Sequence, residues 1–319
     1  MYNKEQKTRF VREYTHSLSN AKLCETIFNK IQPFEENWGA DLCTRTSTEL
    51  QPVIDTIVGF RARSKWSTLI ILKDYVKWCI GNGVSGACDG MLQIKTVGLD
   101  SVKVQMVSIP KHLQKYLDEI CDPENKQTTD NIYRCFYWLA YSGMKEEDIL
   151  QVKISDVDFE NMVVHHDGEE FTIYREALPA FKNCVTLDSF VYNHPLYSAD
   201  KIVIKPRVDG NTLVRGIRSL PTVKSMRMTL SRRSKECIDK GFTTLKLSYY
   251  RVWLSGLFYR MYEIEKSGLP VDFTEAAIRF MEGKEYKFEK GCKNENIKKR
   301  EVAKDYLEDY QRWKLAFFL

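Results

Sequence analysis

The chain has 319 residues, with 48 Lys and Arg against 43 Asp and Glu, a formal net charge of +5, 43% hydrophobic and 29% charged residues. This balance allows one to three domains with a sizeable core and excludes disorder over most of the length. No stretch approaches the roughly 20 apolar residues of a membrane span, and the charged segment Met1–Arg12 predicts no secretory signal.

The nine cysteines are odd in number and none forms a CxxC pair. They predict neither a zinc site nor a disulfide framework, and a reducing, cytoplasmic setting is the simplest expectation. No metal or cofactor is expected.

Taken in chain order, the first third reads as helices over 3–18, 21–34, 48–58 and 64–80. The last of these is the clearest, with Leu69, Leu72, Tyr75, Val76, Cys79 and Ile80 at helical spacing. Gly81-Asn82-Gly83 stops it. From 83 to 110, four glycines and little periodicity predict a linker, with a boundary near residue 100. Helices are expected over 110–120 and 129–141, the latter with Ile132, Cys135, Phe136, Leu139 and Ala140 on one face. Ser142-Gly143 breaks it, and a helix from Glu146 carries three acids in its first turn, where the macrodipole favours them. Strands are expected over 158–165 and 170–174, joined by His166-Asp167-Gly168-Glu169 as a hairpin. Helices follow over 221–239, 250–264 and 297–314.

Three segments, in this order, carry a resemblance. The first is FYWLAYSGMKEEDILQVKISDVDFENMVV, 136–164; the second is LSYYRVWLSGLFY, 247–259; the third is VAKDYLEDY, 302–310. Together they resemble the three boxes of the tyrosine recombinases, the phage integrase family. RSKWSTLIILKDYVKWCIGNG is similar to the last helix of that family's SAM-like core-binding domain. The resemblance implies a mainly α, two-domain recombinase-like fold with a small β-hairpin sheet. Its expected parts are a helical core-binding domain over 1–84, a linker over 85–107 and a catalytic-like domain over 108–319.

The family cleaves DNA by attack of a tyrosine on a phosphate, with arginines, a lysine and His-type groups stabilising the transition state. Carried over residue by residue, the first arginine position holds Lys145, which keeps the charge but loses the bidentate fork. The hairpin has no lysine, only His165 and His166. Ser248 stands at the first His of the second box, Arg251 matches the second arginine, and the later His position falls on Lys284. Tyr306 is the best match for the nucleophile, with Tyr310 and Tyr286 as fallbacks. Groups that act as a unit are lost together at a cost of orders of magnitude in rate. The resemblance therefore implies no enzyme but a degenerate member, similar in its losses to prophage repressors built on this scaffold. The implied function is a sequence-specific double-stranded DNA-binding repressor of transcription that maintains lysogeny. The competing expectation is a divergent active recombinase using Tyr306.

Basic residues mark the expected DNA-binding surface, since Lys and Arg displace counterions from DNA. The 221–239 helix offers Lys224, Arg227, Ser231 and Lys235 at helical spacing, flanked by Arg232 and Arg233. Before it, Lys205, Arg207, Arg215 and Arg218 lie on a loop with a possible helix start near Asn211 and Thr212. Arg61, Arg63 and Lys65 open the 64–80 helix, where a basic N-terminus suits an anion. Lys145, Lys246 and Arg251 complete the set. The apolar tail WKLAFFL, 313–319, is costly to expose. It is expected to dock either on a second protomer, giving a homodimer, or on its own domain.

Overall fold

The computed structural model describes residues 1–59, 61–121, 129–192, 202–204, 211–216, 221–281 and 295–319. It divides into two compact units, Met1–Lys103 with Asp272–Leu319, and Val104–Val271.

The first unit begins with α1 (Lys4–Tyr14), α2 (Leu18–Trp38), α3 (Ser47–Ile57) and α4 (Ala62–Gly81). Local chemistry sets these ends. Ser17 caps α2 by accepting from the Asn20 backbone, and α2 stops at Gly39, whose φ of 62° suits glycine. Thr46 and Glu49 form a reciprocal capping box at α3. Phe10, Phe28 and Tyr75 meet edge-to-face in the core, with Phe28 and Tyr75 centroids 5.0 Å apart. A charge cluster lies inside the same core: Lys7 Nζ sits 2.5 Å from Glu35, and Tyr75 Oη donates to Asp41 at 2.9 Å. Burial pushes the Glu35 carboxyl up, against the pull of Lys7.

The stretch expected to be a linker is packed instead. The short helices α5 (Gly90–Gln93) and α6 (Asp100–Lys103) lie within it, and Met91, Ile94 and Val102 are buried. Gly90 explains the close approach: a Cβ there would lie 2.1 Å from the Arg45 carbonyl oxygen. The units divide between Lys103 and Val104, near the expected residue 100; within the stretch before it, glycine allows backbone to touch backbone.

The second unit contains α7 (Pro110–Ile120), α8 (Thr129–Ser142), α9 (Glu146–Ile149), α10 (Leu178–Val185), α11 (Val223–Asp239) and α12 (Tyr249–Lys266). α8 is its centre. Every residue from Cys135 to Tyr141 is at most 1% exposed, so this helix is apolar all round rather than on one face. A three-stranded antiparallel sheet joins β1 (Val157–Asp158), β2 (Val163–His166) and β3 (Glu169–Thr172) in that order. The hairpin reverses through two residues, Asp167 and Gly168, both at positive φ, and pairs His166 with Glu169. The expected single strand over 158–165 is interrupted. Asp158 accepts from the Glu160 and Asn161 backbones, each at 2.9 Å, and Met162 takes φ 58°. β4 (Phe190–Tyr192) and β5 (Ile202–Ile204) form a separate antiparallel pair.

No helix starts at Asn211 and Thr212. Residues 211–213 bridge 152–154 through Ile154 N to Asn211 O at 2.6 Å and Leu213 N to Val152 O at 2.8 Å. The chain ends with α13 (Thr274–Met281) and α14 (Glu295–Phe317), which belong to the first unit. The fold class is thus the expected one, mainly α with a small antiparallel sheet.

Candidate nucleic-acid interface

In the second unit the first two boxes meet. α8 ends at Ser142, and Gly143 follows with φ 107°, a conformation L side chains rarely adopt. This reversal buries Met144 and leaves Lys145 exposed at the start of α9. α12 grips the turn. Tyr249 Oη donates to Met144 O at 2.8 Å, and Trp253 Nε1 donates to Gly143 O at 3.0 Å. Gly256 lets α12 approach: a Cβ there would stand 1.8 Å from the Tyr141 carbonyl oxygen.

Ser248 is the N-cap of α12, exposed, with no side-chain cap bond. Arg251 lies one turn on, half-buried, and donates to the Lys246 carbonyl. Burial pulls its guanidinium below the ordinary arginine value. The hairpin comes to the same turn. His166 is nearly buried, its Nε2 has no hydrogen-bond partner, and its ring together with Lys145 acts on Asp148. Burial raises the Asp148 carboxyl, while His166 and Lys145 oppose that rise. His165 is half-exposed, 3.7 Å from both Asp158 and Glu170.

α11 supplies the rest. Thr222 and Ser225 form a capping box at its start. Met226, Leu230 and Ser234 face the core, leaving Lys224, Arg227, Ser231, Arg232 and Lys235 exposed. A cavity of about 690 Å³ opens between α11 and the start of α12. Its wall carries four cations, Arg227, Lys235, Lys246 and Arg251, and a single carboxylate, Asp239. Ser231, Ser234 and Ser248 add hydroxyls, and aromatic surface comes from Phe136, Tyr137 and Tyr249. Cations and hydroxyls above an apolar floor can hold an anion such as phosphate.

Two arginines of the expected surface are committed to the protein. Arg227 Nε lies 2.9 and 2.8 Å from the two carboxylate oxygens of Glu146, which is 2% exposed. That bond raises the Arg227 guanidinium further. Of the three acids that open α9, Glu146 holds Arg227. Arg233 Nη1 lies 2.6 Å from Asp130 and 3.3 Å from Ile120 O, and its guanidinium stacks 4.8 Å over Tyr133. It is a core clamp, unlike its neighbour Arg232, whose side chain is 75% exposed. Arg215 is structural too, donating to Leu187, Cys184 and Thr212 carbonyls. Lys205, Arg207, Arg218, Lys284 and Tyr286 lie outside the described residues.

Tyr306 is not on this unit. It sits on α14 in the first unit, fully buried against Phe273, with the Arg61 guanidinium 5.3 Å above its ring. Tyr310 and Trp313 beside it are also fully buried. The tail belongs to the first unit; its Phe317 and Phe318 rings pack on Trp313 of the same segment, while Leu315 and Leu319 are 50% and 86% exposed. Arg61 and Arg63 face α14 as well: Arg61 pairs with Asp309, and Arg63 lies 3.7 Å from Asp305. Lys65 stacks on Trp66 at 4.9 Å, and burial, then Arg312, lowers its ammonium.

Among the described residues no helix is long and apolar enough to cross a membrane, and no group of three His, Cys, Asp or Glu side chains is placed to hold a metal.

Comparison with known proteins gives one sequence match. Residues 1–81 match the family described as the MrpR N-terminal core-binding domain. No curated protein matches the chain. Among solved structures, similarity is found to XerA recombinase at 13% identity, covering 84% of this chain and 86% of that one, TM-score 0.35. A Tn1549 transposon integrase in complex with circular intermediate DNA matches at 13% identity over 92% of both chains, TM-score 0.36. A lambda integrase tetramer bound to a Holliday junction matches at 11% identity over 90% and 78%, TM-score 0.33.

Proposed function

We propose that this chain is a sequence-specific double-stranded DNA-binding protein that represses transcription from a recombinase-like scaffold without cutting DNA. The observation that carries the proposal is the placement of the would-be catalytic groups. The cationic cavity of the second unit, with Lys235, Lys246 and Arg251, is suited to a phosphate. The best candidate nucleophile, Tyr306, is fully buried in the other unit. A cavity suited to phosphate and a candidate nucleophile that is fully buried support binding without attack. The core-binding match over 1–81 supports a DNA partner. The biological role that fits is maintenance of lysogeny in the cytoplasm, as by the master repressor of SPβ-type Bacillus prophages, which this chain resembles in its losses.

The proposal extends to a homodimer on a two-fold operator. Its expected interface is the C-terminal segment, whose Leu315 and Leu319 are 50% and 86% exposed.

The test combines binding and covalent trapping on labelled fragments of the protein's own genomic neighbourhood, with a suicide substrate for the trap. Specific shifts without adduct are expected. A covalent adduct abolished in Tyr306→Phe would establish the divergent recombinase instead.

A further inference from the structure

The cavity between α11 and α12 is larger than one phosphate needs. Its volume of about 690 Å³ falls in the range of about 300–1,000 Å³ that small-molecule sites occupy. Buried hydroxyls stand at its wall. Tyr137 and Ser234 line it at 0% and 3% exposure, and neither Tyr137 Oη nor Ser234 Oγ has a hydrogen-bond partner. The Tyr116 hydroxyl, fully buried, lies beside both, and it too makes no bond of good geometry. Burial keeps the two phenols protonated, with Tyr116 pushed up to about 12 and Tyr137 raised as well. Buried hydroxyls in a folded chain nearly always find partners, because leaving them unpaired is costly. Three together beside a cavity point to a ligand that completes them. None of the three belongs to the basic surface expected to meet DNA.

Aromatic rings frame the same wall. Phe136 stands 6.2 Å from Tyr137 and 6.0 Å from Tyr249, ring centre to ring centre. Such a frame accepts a flat ring. Hydroxyls both donate and accept, so they match the mixed edge of a heterocyclic base. Arg251, half-buried in the cavity wall, lies within electrostatic reach of Tyr116, and Lys235 stands exposed on the wall. Cations and hydroxyls thus sit in one cavity, as a ligand with an anionic end and a polar flat end requires.

We propose that this cavity is an effector site for a free nucleoside monophosphate, its base on the Tyr137 and Ser234 hydroxyls and its phosphate on Lys235 and Arg251, and that this occupant competes with a phosphate of bound duplex. The competition rests on the DNA-binding reading above; the nucleotide site does not. A DNA strand offers the same phosphate and base, but its base reaches the hydroxyls only after leaving the stack, which a free nucleotide is spared.

Isothermal titration calorimetry on the full wild-type chain, without DNA, tests the site directly. The four ribonucleoside monophosphates are titrated beside inorganic phosphate and ribose 5-phosphate, which lack the base. At least one nucleotide is expected to bind about tenfold more tightly than either. Equal affinities would overturn the proposal and leave a phosphate site only. Tyr137→Phe removes one hydroxyl and keeps the ring, and is expected to cut the preference for nucleotide about fivefold to tenfold. The ligand-free variant should unfold at the same temperature as wild type or higher, since the hydroxyl it loses has no partner. A lower midpoint would show that the fold itself uses this hydroxyl, and would sink the site. Fluorescence anisotropy of a labelled duplex at fixed ionic strength then reads the competition. The tightest nucleotide is expected to raise the apparent Kd for duplex in proportion to its own occupancy, and inorganic phosphate at the same concentration is not. Nucleotide binding with unchanged duplex affinity refutes the competition. A chain that binds no duplex at all refutes the DNA reading, while calorimetry still decides the nucleotide site.

Discussion

Arg232 and Arg233 are adjacent on α11 and predict opposite outcomes when each is changed to alanine. Arg233 is 22% exposed, and its partner Asp130 is 1% exposed at 2.6 Å. Removing the guanidinium takes a charge partner from a buried carboxylate and a donor from the Ile120 carbonyl. Breaking a buried pair in this way costs about 3–5 kcal/mol. Arg232 is 75% exposed, and Glu236 is 3.9 Å away, so that pair contributes well under about 1 kcal/mol. The expected result is that Arg233→Ala lowers the stability of the second unit by about 3 kcal/mol or more, while Arg232→Ala leaves it unchanged within about 0.5 kcal/mol. Urea unfolding followed by near-ultraviolet circular dichroism reads both, with the two units fitted as separate transitions. DNA binding should divide them the other way. Arg232→Ala should weaken binding on all sequences and reduce the slope of log affinity against log salt by about 1, as one lost phosphate contact requires. At 25 °C and within the folded baseline, Arg233→Ala should leave that slope alone. An Arg233→Ala chain as stable as wild type, with a reduced salt slope, would return Arg233 to the DNA surface and refute the assignment made from its geometry.

Two further predictions follow from close contacts. Gly256→Ala should cost at least about 3 kcal/mol, or prevent folding of the second unit, because its Cβ would meet the Tyr141 carbonyl oxygen at 1.8 Å and force α12 off α8. Thermal unfolding checks this, and a shift of only a degree or two would contradict the packing. Asp309 makes a pH prediction. Its carboxyl is raised from 3.8 to about 6, so the folded state holds the proton more tightly than the unfolded one. The stability this lends is full below about pH 4 and is lost as pH rises through 6, a change of about 2–3 kcal/mol at most. The stability of Asp309→Asn relative to wild type should therefore grow from pH 4 to 6 and stay flat above. A difference constant over that range would show that burial does not perturb this carboxyl.

Much of the local structure was legible in the sequence for physical reasons. Helical apolar spacing marked α4, α8 and α12, Pro110 marked the start of α7, and Asp167-Gly168 marked a hairpin because both positions take positive φ. The pairing of the first two boxes was legible only through their resemblance to a family. What placed them together was the fit of Gly256 against Tyr141 and two side-chain bonds to the Gly143 turn. Glu146 as the partner of Arg227 gave no signal beyond an acidic first turn, since nothing in the spacing says which cation lies opposite.

Composition and periodicity determined that the chain is mainly α with a small antiparallel sheet, because hydrophobic period and turn chemistry act over a few residues. They could not determine which charges face solvent. Lys224, Arg227, Arg232 and Arg233 look alike along one helix, yet only Asp130 and Glu146, brought from other elements, turn two of them into structural clamps. The fate of Tyr306 was also tertiary. In the sequence it is a tyrosine at the place of a nucleophile. In the structure it is a buried ring under Arg61, because α14 belongs to the first unit and inserts Asp309 at the start of α4.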